Sequence, residues 1–281
     1  MNVPISEIGR LRDGNGDVIL IPDMTHRIVE EKELVDGMDA VLYNTACDYP
    51  ETSDYGILAE KLASEIGLQG KNVLEIGSGP GNLCKEILDR GASIVIGVDG
   101  ASSMVNHALE KYQEDVKENK LDFRKESVYD LRFNPRFDLV VCQNSFHQLH
   151  HPAEALNEMV KVCADGGTVY VADFRRDVSR EEVMQRLHWT KPEIRQIVIE
   201  SINAALTKQE FRDILVSIEG ITSSVTNAVD PHGISGRVNE LIRRDPVPHF
   251  RDYVISQTVR IHKNEYIDPA MQRNEMQQRL Y

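Results

Sequence analysis

Between Asn72 and Phe174 the chain alternates short apolar runs with longer stretches in which apolar residues recur every three or four positions. The runs VLEI (73–76), IVIGVD (94–99), FDLVVC (137–142) and TVYVADF (168–174) are short and rich in β-branched residues, as strands buried on both faces are. Residues 82–90, 101–118 and 152–163 carry the spacing of helices that bury one stripe. DFRKESV (122–128) is a weaker strand candidate, placed where the alternation calls for one. Alternating strands and helices predict an α/β fold: a doubly wound, mostly parallel sheet covered by helices on both faces.

The flanks read differently. RLRDGNGDVILIP (10–22) places DGNG between two β-prone runs and predicts a small hairpin. Residues 30–66 are mostly helical in pattern, interrupted by CDYPETSDYG (47–56). After Phe174, residues 179–189 and 191–218 read as helices, with TKQE (207–210) at capping-box spacing ahead of FRDIL. GITSSVTNAV (220–229) and DYVISQTVRIH (252–262) are β-rich, separated by a polar insert at 230–250, and no crossover helix joins them. They can therefore pair antiparallel at one end of the sheet. The expected organisation is a hairpin and helical lid over residues 1–66, a domain of about seven strands over 67–263 with an antiparallel last strand, and a polar tail over 264–281.

Composition narrows the function. A formal net charge of −13 over 281 residues disfavours a nucleic-acid substrate, since affinity for a polyanion rests on clustered Lys and Arg. The four cysteines, Cys47, Cys84, Cys142 and Cys163, stand far apart in no metal-ligand spacing, so no metal site is expected. Buried thiols in a reducing compartment, together with no membrane-spanning run and no signal-peptide pattern at the start, read as a soluble cytoplasmic protein.

The chemistry concentrates in KNVLEIGSGPGNL (71–83). A dinucleotide fingerprint, GxGxxG, would need a third glycine where Asn82 stands, and the glycines instead run Gly77, Gly79, Gly81. Glu75 sits two residues before the first of them, where a carboxylate would repel a phosphate and suit a cation. Asp99 ends the next strand, 22 residues after Gly77, where a carboxylate can accept both hydroxyls of a ribose. Together these residues point to a cationic nucleoside.

Over residues 55–175 the chain resembles the class I S-adenosylmethionine-dependent methyltransferases. Glu75, Gly77, Gly79 and Gly81 match the family's acid-x-Gly-x-Gly-x-Gly motif, with Ser78 inside it, and Asp99 matches its ribose acid. The resemblance implies S-adenosylmethionine as cofactor, with Gly100 and Met104 flanking the ribose and adenine. It also places ESVYDLRF at the adenine motif, Ser127 standing where the family often has Asp and Val128 beside it. FDLVVCQNSFHQLHHPAEALNEMVKVCADGGTVYVADF resembles the family's fourth strand, loop, helix and GG turn, which puts Asn144 beside the cofactor and Gln143 at the substrate side of the same mouth.

Methyl transfer from a sulfonium needs alignment and water exclusion, and a base only when the nucleophile arrives protonated. His147 is the base candidate, Arg175 a candidate grip for an anionic group, and Tyr43, with Tyr49 and Tyr55, a candidate lid phenol. The expected function is methyl transfer to a small-molecule acceptor. The alternatives are other chemistry in the same pocket, a non-catalytic cofactor-binding scaffold, or an RNA methyltransferase, which the acidity disfavours. A homodimer through the tail or the late strands stays open.

Overall fold

The computed structural model describes residues 9–12, 18–21, 24–30, 54–133, 137–188, 195–228 and 255–264. Tyr43, Tyr49, Cys47, the 230–250 insert and the tail after residue 264 lie outside the described residues.

Strands β1 (Gly9–Arg12) and β2 (Val18–Ile21) pair antiparallel, Gly9 opposite Ile21 and Arg12 opposite Val18, which is the hairpin that DGNG predicts. The main body runs α1 (Asp54–Glu65), β3 (Asn72–Ile76), α2 (Asn82–Asp89), β4 (Ile94–Asp99), α3 (Ser102–Lys111), α4 (Gln113–Lys117), β5 (Leu121–Lys125) and β6 (Phe137–Gln143). It continues with a 3₁₀ turn (Phe146–Gln148), α5 (Pro152–Val162), β7 (Cys163–Phe174), α6 (Arg180–His188), α7 (Arg195–Ala204), α8 (Lys208–Val216), β8 (Ile221–Asn227) and β9 (Ser256–Lys263). Seven strands form one sheet in the order β5-β4-β3-β6-β7-β9-β8. The first five are parallel, and β9 runs antiparallel to both β7 and β8.

Alternate residues of each central strand feed opposite layers. Leu74, Val140 and Val169 pack with Leu156 and Met159 of α5 and Phe211 of α8. Their neighbours Val73, Leu139 and Tyr170 face Leu58 and Leu62 of α1, Leu83 and Ile87 of α2, and Val105 of α3. A third cluster, built from Phe174, Val183, Leu187, Ile199, Ile202 and Ile255, packs α6 and α7 beyond the end of β7.

Two long helical patterns are divided. The 101–118 pattern breaks at Tyr112, whose ring stacks on Phe123 and whose hydroxyl donates to Asn82 at 2.9 Å. The 191–218 pattern breaks before Thr207, where the expected capping box starts a new helix. Thr207 Oγ1 accepts from the Glu210 N–H at 3.1 Å and Glu210 Oε2 accepts from the Thr207 N–H at 2.7 Å. The chain leaves β3 for β4 and β5 on one side, then returns through β6 on the other. A crevice opens at the carboxyl ends of β3 and β6, where such a reversal places ligand sites.

Candidate functional site

Gly77, Gly79 and Gly81 have φ of 66°, 50° and 80°, in the left-handed region where a side chain is strained. Two of them are also spatially obligatory. A Cβ on Gly77 would stand 2.2 Å from Ser145 Oγ, and one on Gly81 would stand 2.6 Å from the Phe123 ring. The loop is tied to its surroundings by the Ser78 N–H, which donates to Val98 O at 3.0 Å, and by the Gly81 N–H, which donates to Ser78 O at 2.9 Å. Gly97, in the middle of β4, completes the fit, because a Cβ there would meet Phe123 and Ser78 within 3 Å. A glycine inside the apolar run IVIGVD is the available sequence signal for such a close approach.

This loop forms the floor of a cleft of about 390 Å³. Glu75, Gly77, Ser78 and Gly79 lie along the floor, while Gly81 instead caps α2. Asp99, Gly100 and Met104 line one side, with Ser127 and Val128 nearby at the end of β5. Gln143 and Asn144 line the β6 side. Tyr55, Tyr129, Gln148 and Leu149 also face the cleft, and of these only Tyr55 stands out in the sequence.

Two carboxylates frame the floor. Asp99 accepts the Gly79 N–H at 2.9 Å through Oδ2 and the Ala101 N–H at 2.8 Å through Oδ1, so it fixes the glycine loop relative to the start of α3. Glu75 is buried, and its Oε2 accepts a hydrogen bond from the Cys84 thiol at 2.8 Å. Burial pushes this acid up to about 8. Ser78 Oγ and Gln143 Oε1, buried groups of two residues that line the cleft, have no hydrogen-bond partner among the described residues. Asn144 sits at φ 48°, a left-handed conformation for which Asn is better suited than most residues.

His147 and Arg175 are placed elsewhere, which corrects their expected roles in the cleft. The 3₁₀ turn sends Gln148 to the cleft and drives His147 back into the protein, where it is 3% exposed. There Nδ1–H donates to Asp173 Oδ1 at 2.7 Å, and Nε2 lies 3.7 Å from Glu30 Oε1. Burial alone would lower the imidazole pKa, but Asp173 and Glu30 outweigh it and the net direction is upward. Arg175 is buried and committed to Glu182 Oε1 at 2.6 Å and to the carbonyl of Asp177.

Two arginines that play no part in the cleft hold residues 24–30 across this end of the sheet. Arg27 donates to the carbonyls of Ala204, His147 and Leu149 at 2.6, 3.0 and 2.7 Å. Arg176 donates to the carbonyls of Met24 and Thr25 at 2.8 and 3.0 Å and pairs with Glu210 at 2.5 Å. The strap thereby grips the back of the turn whose front lines the cleft. The pattern of apolar residues carries no trace of it.

Residues 74–171 match the family model described as a methyltransferase domain. Among curated proteins, the chain is 24% identical over 131 residues to the mitochondrial ubiquinone biosynthesis O-methyltransferase of Dictyostelium discoideum, a match covering 43% of this chain and 41% of that protein. It is 30% identical over 118 residues to the ubiquinone biosynthesis O-methyltransferase of Dechloromonas aromatica, covering 40% of this chain and 48% of the relative. The matched region thus spans less than half the length of either relative. Among solved structures, the plantazolicin methyltransferase BpumL, in complex with a triazolic desmethylPZN analog and SAH, aligns with a TM-score of 0.63 at 16% identity, covering 81% of this chain and 91% of that one. The plantazolicin methyltransferase BamL, in complex with the same analog and SAH, gives 0.60 at 16% identity over 82% and 92%. These likenesses establish the fold.

Proposed function

We propose, for a chain that carries a class I S-adenosylmethionine-dependent methyltransferase domain, that it transfers the methyl group of S-adenosylmethionine to a small-molecule acceptor. The observation that carries this reading is the lining of one cleft: a glycine loop at positive φ, the acids Glu75 and Asp99, and the polar residues Ser78, Gln143 and Asn144. The glycines run Gly77, Gly79, Gly81 rather than GxGxxG, a set that fits a nucleoside bearing an amino-acid group better than a dinucleotide.

In this reading Asp99 keeps lone pairs for the ribose hydroxyls while its oxygens hold the Gly79 and Ala101 N–H groups. Gly100, Met104, Ser127 and Val128 flank the base, and Glu75 faces the amino-acid end. When bound, the cofactor supplies an electrophilic methyl group on a sulfonium. The chain then has to orient the acceptor and keep water out, since little covalent chemistry falls to the protein. With Asn144 beside the cofactor, Tyr55, Tyr129, Gln143, Gln148 and Leu149 line the remaining wall and are available to an acceptor. Tyr43, in the N-terminal segment, is proposed as a further substrate-side phenol. His147, turned away from the cleft, serves the reaction by holding the turn that carries Gln148.

Among the described residues no helix is long and apolar enough to cross a membrane. Cys84, Cys142 and Cys163 are buried and free, which supports placing the activity in a reducing compartment, the cytoplasm.

Calorimetric titration with S-adenosylmethionine, S-adenosylhomocysteine and NAD tests the cofactor assignment. Binding of the first two without NAD supports it, and silence from all three in folded, cofactor-free protein overturns it. The relatives are O-methyltransferases, so hydroxylated acceptors head the screen for S-adenosylhomocysteine release. Cofactor binding without release on any acceptor class would favour the scaffold reading.

A further inference from the structure

We propose that Glu75 is a neutral carboxylic acid in the ligand-free protein and that binding of the cofactor's ammonium group expels its proton to solvent. One proton would leave the cleft as the ammonium group arrives. This rests on the cofactor reading given above and adds a proton to its stoichiometry.

The geometry around Glu75 carries the argument. The residue lies next to the end of β3, 2% exposed, on the floor of the cleft. From α2 the Cys84 thiol donates to Oε2 at 2.8 Å, and burial holds that thiol far above its ordinary range, so it remains a donor. From β4 the carboxylate of Asp99 adds charge of the same sign, and from β6 comes Cys142, a buried thiol whose pKa is likewise raised. Among the described residues no Lys, Arg or His forms a hydrogen bond or ion pair with Glu75.

A buried carboxylate answered by the thiol and the backbone N–H of Cys84, and by no cation among the described residues, is costly to ionise. Taking up a proton is the cheaper response, in keeping with the upward shift already described. An ammonium arriving in the cleft reverses the balance, because an opposite charge at close range favours the ionised acid. The O–H bond of Glu75 then breaks heterolytically, the electron pair stays on the carboxylate, and the proton passes to water or buffer. No oxidation or reduction is involved.

The sign of the pH dependence follows. Below the titration midpoint, each unit of pH should tighten binding about tenfold, because one proton leaves per ligand bound, with a plateau once Glu75 is already ionised. Titration of the full chain with S-adenosylhomocysteine in buffers of different ionisation enthalpy counts the protons. The expected result is nearly one released at about pH 6.5, falling steadily towards about pH 8.5. The same number is expected with S-adenosylmethionine, and none with adenosine, which lacks the ammonium. Release with S-adenosylmethionine alone, or equally with adenosine, would overturn the assignment to the ammonium. Release that persists in Glu75→Gln would overturn the assignment to Glu75, as would S-adenosylhomocysteine binding with no release at about pH 6.5. Carbon NMR of glutamate-labelled, ligand-free protein follows the acid without any ligand. A resonance lost in Glu75→Gln should titrate far above the ordinary glutamate range, and an ordinary midpoint refutes the proposal even if the cofactor reading itself fails.

Discussion

Asp173 holds His147 twice, Oδ2 accepting the backbone N–H at 2.8 Å and Oδ1 accepting from the ring Nδ1 at 2.7 Å. The same carboxylate takes the N–H of Phe174, so the last turn of β7 and the 3₁₀ turn after β6 share one buried anchor. Glu30 stands on the far side of the imidazole, which makes the histidine a bridge between the sheet and the strap.

Removing that bridge should cost stability in a pH-dependent way. With its native pKa raised, His147 contributes stability that is fully present below the ordinary histidine value and is lost as pH rises through the raised one. His147→Ala should destabilise by about 3 kcal/mol at mildly acidic pH, as loss of one partner of a buried pair does, and by less at alkaline pH. His147→Asn, which can still donate to Asp173, should recover part of the loss. Thermal unfolding of wild type and both variants from about pH 6 to 9 reads this out, and a wild-type-to-alanine difference that does not shrink with pH would contradict it.

Arg27 should matter to the cleft without touching it. Its guanidinium serves the carbonyls of His147 and Leu149, on either side of Gln148. Arg27→Gln leaves those carbonyls short of a charged donor and should cost about 2–3 kcal/mol, with protease cleavage near the strap accelerated. Arg27→Lys restores charge but not the three-way geometry, so partial rescue is expected. Limited proteolysis alongside chemical unfolding checks both.

Gly77→Ala should abolish detectable S-adenosylhomocysteine binding. The alanine methyl would collide with Ser145 and force a left-handed residue, and Ser145→Gly removes only the first problem. The double variant should therefore regain folding stability more fully than ligand affinity. Calorimetry and thermal unfolding on the three proteins decide, and a single variant that binds as wild type does would count against the loop's close approach.

Asp99→Asn should weaken S-adenosylhomocysteine binding by about 10- to 100-fold, a factor worth ~1.4–2.8 kcal/mol, and lower the melting temperature by a few degrees. An amide has one accepting oxygen where the carboxylate has two, so either the Gly79 or the Ala101 N–H loses its partner. Unaltered affinity would remove Asp99 from the site.

The sheet could be read from the chain because buried parallel strands leave short β-branched runs, and the glycine loop because left-handed backbone selects glycine. The single weak strand candidate, 122–128, shortened to Leu121–Lys125, since Ser127 and Val128 turn away to line the cleft. His147 could not be resolved in the same way. Three histidines in SFHQLHH look alike along the chain, and a 3₁₀ turn, with no stable hydrophobic period, decides which residue faces the cleft. Arg175 suffered similarly, because its partner Glu182 comes from the next helix and charge alone does not say whether a guanidinium is spent internally. Arg27 and Arg176 act mainly on backbone carbonyls, which every residue possesses and no motif records.

The order of the sheet also sets a timetable for synthesis. β9 follows both β7 and β8 along the chain yet lies between them, with Val259 paired to both Val171 and Val225. The five parallel strands precede β9 in synthesis, so among the described strands β7 first presents an unpaired hydrogen-bonding edge and β8 lacks its neighbour. Until residues 256–263 emerge, that edge is open to any other extended chain, which makes the final strand a guard against misassociation as well as a structural element.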